Sequence, residues 1–195
     1  MTKIFDLYEV EGIEVEDPGL KRVINLTPKT MLKSHGSIKG KFAAAKINLV
    51  ERLIRILCHP GHRGKKHKVM TRTTGKYNKN ANVVLETFKI IEEKTKENPV
   101  KILVKAIENA SPREEVTTIE YGGAKYPQAV DSSPLRRVGL TLRLIVHGAY
   151  DKAFNKKTKI QDTLANEIIL ASQEDSNSFA VSKKIEAEKQ ANSAR

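Results

Sequence analysis

Val116-Thr117-Thr118-Ile119-Glu120-Tyr121-Gly122-Gly123-Ala124-Lys125-Tyr126-Pro127-Gln128-Ala129-Val130 interrupts a chain that otherwise alternates between helical periodicity and polar loop. A β-branched and aromatic run leads into a glycine pair, and a second extended run leaves it. Glycine tolerates the positive φ of a tight turn, so the pattern predicts a β-hairpin, with limits set at 114–131. A two-stranded ribbon by itself is marginal in water. Pro127 removes a ladder donor and argues against a central strand. The hairpin is therefore expected to project from helices or pack on them.

Outward from the hairpin, apolar residues recur every three or four positions. Upstream, Ile47, Val50, Ile54 and Leu57 predict a helix from about Ala43 to Leu57, stopped by Pro60 and Gly61. Val83, Val84, Phe88 and Ile91 predict a second helix from about Asn80 to Lys96. Asn98-Pro99 restarts the pattern, because Asn caps free N–H groups and Pro suits a first turn. Val100, Leu103, Val104 and Ile107 follow, and Pro112 ends this third helix. Downstream, Ser133-Pro134 repeats the restart before a long stripe of Leu135, Val138, Leu142, Ile145, Val146 and Ala149. Thr158 and Gln161 have the spacing of a capping box ahead of Ile160, Leu164, Ile168 and Ala171, and a last helix is expected from Ser182. That helix is poor in large apolar residues and needs a partner surface. Strands do not alternate with helices, which excludes a doubly wound α/β enzyme. The predicted fold class is mainly α: a five- to six-helix bundle with one protruding β-hairpin between the third and fourth helices. Residues 1–40 are expected to form an acidic, partly irregular N-terminal extension, and residues 41–195 the helical domain.

The chain has 195 residues, 35 Lys and Arg against 23 Asp and Glu, and a net charge of +12. That length buries a core without staples, and the single Cys58 forms no internal disulfide. No run reaches the length of a spanning helix, and residues 1–6 lack the order of a secretory signal. A soluble intracellular protein with polyanionic partners is expected, nucleic acid ahead of an anionic membrane. Position sharpens this. Before Gly19 stand six acids and one base, so this segment is expected to have little structure of its own, or to fold against a partner, and to screen the basic face. From Lys39 to Lys79 the only acid is Glu51, against twelve bases. Besides Lys39 these are Lys41, Lys46, Arg52, Arg55, Arg63, Lys65, Lys66, Lys68, Arg72, Lys76 and Lys79. A like-charge block of this density repels itself unless a polyanion is near. The part between His59 and Lys79 predicts an extended basic loop, of which Lys65–Lys79 is expected to order only on RNA.

Catalytic and metal motifs fare poorly. Gly36-Ser37-Ile38-Lys39-Gly40-Lys41 is one residue short of a phosphate loop, and Gly61–Lys65 has the wrong spacing. Cys58, His59, His62 and His67 are zinc-ligand types. Adjacent Cys58 and His59 diverge, however, and the surrounding cations repel a metal, so neither metal nor cofactor is expected. No nucleophile with an orienting partner is apparent, and no enzyme is expected. Arg136, Arg137 and Arg143 instead project from a helix with a firm apolar face, which suits shape recognition of folded RNA. Tyr121 and Tyr126 flank the hairpin tip; they either stack on bases or pair with each other across the strands. A helical DNA-binding or chromatin-associated regulator is the rival. Its recognition helix needs a short preceding turn, whereas the boundary from Pro112 to Ser133 is filled by the hairpin.

Seven stretches carry a resemblance: Asn48–Leu53, Gly64–Lys66, Glu97–Pro99, Glu108–Glu114, Gln128–Val138, Leu164–Ile168 and Ser176–Ala180. In this order, from Ile47 to Arg195, the chain resembles the universal small-subunit ribosomal protein seven family in its archaeal and eukaryotic form. The resemblance implies a helix bundle with a protruding hairpin at the cytoplasmic ribosome. It implies binding of small-subunit ribosomal RNA in the 3′ major domain, nucleation of head assembly, and contact with neighbouring ribosomal proteins of the head. It also implies that Lys65, Lys66, Arg113, Arg136, Arg137 and Arg143 touch RNA phosphates. The hairpin tip, Tyr121, Gly122, Gly123, Lys125 and Tyr126, is then expected near exit-site tRNA and the mRNA exit path. Many relatives carry arginines ahead of the glycine pair; Ile119, Glu120 and Tyr121 stand there in this chain, leaving Lys125 as the tip cation.

Overall fold

A computed structural model describes every residue except 1, 2, 31, 35–37, 64, 65 and 68–70, and omits the side chains of 62, 66 and 67. Among the described residues, six long helices follow the predicted order. They are α3 (Leu49–Leu57), α4 (Tyr77–Thr95), α5 (Pro99–Ala110), α6 (Pro134–Ala153), α7 (Ile160–Ser172) and α8 (Phe179–Ser193), preceded by the single turns α1 (Pro18–Lys21) and α2 (Ala43–Lys46). Asn98 caps α5 through its side chain, with Pro99 in the first turn, as the spacing predicts.

Several boundaries differ for local reasons. The helix expected over residues 43–57 is split, because the Asn48 side chain accepts from Val50 N and starts α3 afresh. Leu49 N and Asn48 Nδ2 meanwhile donate to the N-terminal segment at Asn25 O and Thr27 O, both at 2.8 Å. Asn80 does not start α4: it lies fully buried one turn inside, its Nδ2 donating to Thr73 O at 2.9 Å. The expected Thr158–Gln161 box is absent. Lys159 occupies the cap position, and Gln161 Nε2 reaches Glu86 at 2.5 Å. Ser178 caps α8 three residues earlier than expected. Within the extended basic loop, β1 (His62–Arg63) pairs antiparallel with β2 (Lys66–His67).

Helix α7 lies at the centre, packed against α4, α5 and α6. It buries Leu164, Ala165, Ile168 and Ala171, at about 1.5–3 kcal/mol for each large apolar side chain withdrawn from water. Glu167, also fully buried in α7, accepts from Lys152 Nζ at 2.6 Å, Ser178 Oγ at 2.8 Å and Ala180 N at 3.2 Å. It thereby ties α6 and the start of α8 to the centre. A Cβ at Gly148 would lie 2.6 Å from that of Phe179, so only glycine lets α6 approach α8 this closely. The acidic N-terminal segment is stitched to this body. Ile4, Tyr8, Leu20, Val23, Ile24 and Leu32 belong to the same core cluster, and Asn98 Nδ2 donates to Glu9 O at 2.7 Å.

The hairpin comprises β3 (Glu114–Tyr121) and β4 (Ala124–Asp131), in register from Glu114 opposite Asp131 to Tyr121 opposite Ala124. Gly122 and Gly123 have φ of 58° and 81°, so both central turn residues use the left-handed region. Its residues are half-buried only near the base; the remainder are exposed.

Candidate nucleic-acid interface

The predicted cations fall into three groups. Lys41, Lys46, Arg72, Lys76, Lys79, Arg113 and Arg143 are exposed and engage in no ion pair among the described residues. They sit around α2, on the approach to and first turn of α4, at the hairpin root and on α6. A second group reaches the surface while paired. Arg136 Nε is 2.7 Å from Glu115 Oε2, and Arg55 Nε is 3.2 Å from Glu51 Oε1 with its other arm on Ser34 Oγ. Arg63 is gripped by both oxygens of Asp151 at 2.7 and 2.5 Å. Lys65 and Lys68 lie outside the described residues, as does the side chain of Lys66.

The third group is buried and corrects the sequence expectation. Arg52 is 7% exposed and donates to Val23 O at 3.3 Å; burial lowers it to about 10. Arg137 is 8% exposed, with its Nη2 2.7 Å from Asp17 Oδ2 and 3.0 Å from Ser111 Oγ. Adjacent helical residues point about 100° apart, so Arg136 faces water while Arg137 faces the seam between α6 and the N-terminal segment. Burial raises the Asp17 carboxyl, but the Arg137 hydrogen bond, the Gly19 N–H and the charges of Arg137 and Arg113 outweigh it and leave it below its ordinary value. Among the described residues, the segment's acids pair with Lys3 and Arg137, not with the exposed cations of residues 39–79.

Where α3, β1 and α6 meet, a groove of about 660 Å³ is lined by Arg55, Ile56, His59, Arg63, Leu140, Arg143, Leu144 and His147. His147 is 9% exposed; burial first, then the Arg63 and Arg143 charges, lower it to about 4, against a smaller upward pull from Asp151. It is neutral at physiological pH. Sequence reasoning passed over His147, Asp151 and Leu140. The signal was present: Arg143, His147 and Asp151 follow at four-residue spacing, hence on one helix face. Lys156, Lys157 and Lys159, exposed after α6 beside a 56%-exposed Phe154, were also missed.

At the hairpin tip the register sets Tyr126 opposite Ile119 and Tyr121 opposite Ala124. The tyrosines are therefore diagonal neighbours on one face, not a directly opposed pair, at 82% and 58% exposure for Tyr121 and Tyr126. Lys125 is exposed and faces Glu120 across the ladder. Cys58 is buried beside Asn80 Nδ2 at 3.4 Å, and His59 is exposed. No group of three or more His, Cys, Asp or Glu residues among those described is placed to hold a metal. None of their helices is long and apolar enough to cross a membrane.

Exposed cations on and beside packed helices, with a projecting hairpin, form a surface of the kind that suits a polyanion. The family model for ribosomal protein S7p/S5e matches residues 20–195, and the chain belongs to that family. The small ribosomal subunit protein uS7 of Nanoarchaeum equitans is 49% identical over 195 residues, covering 99% of this chain and 98% of its own. That of Methanothermobacter thermautotrophicus is 48% identical with both chains covered fully, and that of Archaeoglobus fulgidus 45%, covering 98% of this chain and 94% of its own. Similarity thus extends through the acidic N-terminal segment, beyond the span of the seven stretches. The protein is a structural ribosomal protein, not an enzyme.

Proposed function

We propose that this chain is a structural component of the small ribosomal subunit. It binds the subunit RNA in its 3′ major domain, nucleates assembly of the head with neighbouring ribosomal proteins, and holds its hairpin near exit-site tRNA and the mRNA exit path. Its setting is the cytoplasmic ribosome. The observation that carries the RNA-binding part is the set of exposed cations with no acidic partner among the described residues, Lys41, Lys46, Arg72, Lys76, Lys79 and Arg143, on a body otherwise rich in ion pairs. Such groups release counterions from a phosphate backbone. Presented on the packed helices and the segments leading into them, they favour RNA folded to match and so draw separate RNA helices together. The hairpin, with exposed Tyr121, Tyr126 and Lys125 at its tip, reaches beyond that body toward ligands the helices do not touch.

The test is the salt dependence of binding to a transcript of the 3′ major domain. Replacing Arg72, Lys76, Lys79 and Arg143 with Ala should flatten the log–log slope by roughly 0.7–0.9 for each phosphate left without its cation. An unchanged slope removes these residues from the interface. Arg137→Ala serves as the contrast: it should lower folding stability, with little change in slope once the protein is folded.

A further inference from the structure

The groove between α3, β1 and α6 has more apolar surface than a phosphate requires. Arg55, Arg63 and Arg143 supply the charge around it, while Ile56, Leu140 and Leu144 lie between them. Leu140 is half-buried and is not among the side chains packed on the core cluster, whereas Ile56 and Leu144 rest partly on that cluster and offer the groove their remaining surface. We propose that this groove seats a single unstacked nucleotide of the bound RNA, with its phosphate on the arginine rim and its base against Leu140, Leu144 and Ile56. The proposal rests on the RNA binding put forward above.

Three observations separate this occupant from a duplex backbone crossing the groove. A backbone would use the arginines and leave the leucines wet, whereas a base withdraws them from water through its apolar faces. The groove, at about 660 Å³, is much roomier than a phosphate alone needs. The guanidinium of Arg63 is held by two hydrogen bonds to Asp151, so a flat cationic surface stands ready for stacking. His147, uncharged at neutral pH, adds an imidazole with one donor and one acceptor for polar base edges. Arg143, exposed and without an ion-pair partner among the described residues, is the natural phosphate anchor.

The experiment uses the full chain with isotope-labelled Leu and Ile methyl groups, titrated separately with adenosine 5′-monophosphate, ribose 5-phosphate and inorganic phosphate. The nucleotide should shift the Leu140, Leu144 and Ile56 methyl resonances upfield through its ring current, saturably; the two probes without a base should not. Leu140→Asn should weaken nucleotide binding by about fivefold and leave phosphate binding unchanged. Leu140→Met, which keeps the apolar surface, should restore it, and Arg143→Gln should weaken all three probes. Equal affinity for nucleotide and phosphate, or nucleotide binding indifferent to Leu140→Asn, overturns the proposal. If that happens while the 3′-domain transcript still binds with its full salt slope, only the nucleotide seat falls. Loss of transcript binding by the unaltered chain would instead strike the RNA-binding reading itself.

Discussion

Helix α7 and the β3–β4 hairpin are opposite in construction. Helix α7 buries Leu164, Ala165, Ile168 and Ala171 among three neighbouring helices. The hairpin exposes nearly all of its side chains, among them Val116, Ile119, Tyr121 and Tyr126. One element is specified by what surrounds it inside the molecule. The other is specified by its own ladder and two left-handed glycines, is tied to α6 and α8 only near its root, and leaves its remaining side chains for contacts outside. Substitutions should therefore separate stability from binding according to where they fall.

The largest loss is expected at Glu167. Its replacement by Ala leaves Ser178 Oγ and Ala180 N without this buried acceptor and Lys152 with only Asn177 O, and should cost about 3–5 kcal/mol in urea unfolding of the full chain. Asp17→Asn, where the N-terminal segment meets α6, should cost about 2 kcal/mol at pH 7 by removing the charged partner of buried Arg137. Because folding lowers the Asp17 carboxyl, its contribution is complete above the ordinary value of 3.8 and disappears as pH falls through the folded value. The gap between the two proteins should close on acidification. His147 works in the same direction for a different reason: folding lowers it from 6.5 to about 4, so the unfolded chain takes up the proton first. Near pH 5.5 the wild-type protein should have lost about 1 kcal/mol relative to His147→Gln, measured against each protein at pH 7.5. Tyr121→Ala at the hairpin tip should move unfolding by no more than about 0.5 kcal/mol. A large destabilisation there would show that the hairpin is part of the cooperative core, and the contrast with α7 would fail.

Local patterns were sufficient for the helices and the hairpin. Three- and four-residue apolar spacing marks the long helices from α3 to α7, composition alone marks α8, and the glycine pair marks the turn, because these signals lie within one element. What escaped the sequence depends on distant partners. The break before α3 follows from Asn25 and Thr27 binding Asn48 and Leu49. Arg136 and Arg137 look equivalent as neighbours. Their fates diverge because Asp17 and Ser111 close over one of them, and Asp17 is 120 residues away. The N-terminal segment read as a polar tail because its acids dominate the count, yet Ile4, Tyr8 and Leu20, among and beside them, are core residues. In the candidate site, charge density located the basic region but not which cations remain available. That was decided by Asp151, Glu51 and Glu115 on other elements or other turns.

Helix α8 gives the hairpin a third point of support. Its first turn is fastened to Glu167 and lies against Gly148, while farther along Glu188 accepts from Arg113 N at 3.2 Å and the following Arg195 pairs with Glu114. A ribbon held only at its two covalent roots would swivel about the line joining them. Fifteen residues of helix, about 22 Å long, act as a diagonal brace against that rotation. The tip's aim is thereby referenced to the middle of the molecule, and an angular error at the root, magnified along eight residues of strand, is suppressed where it would begin.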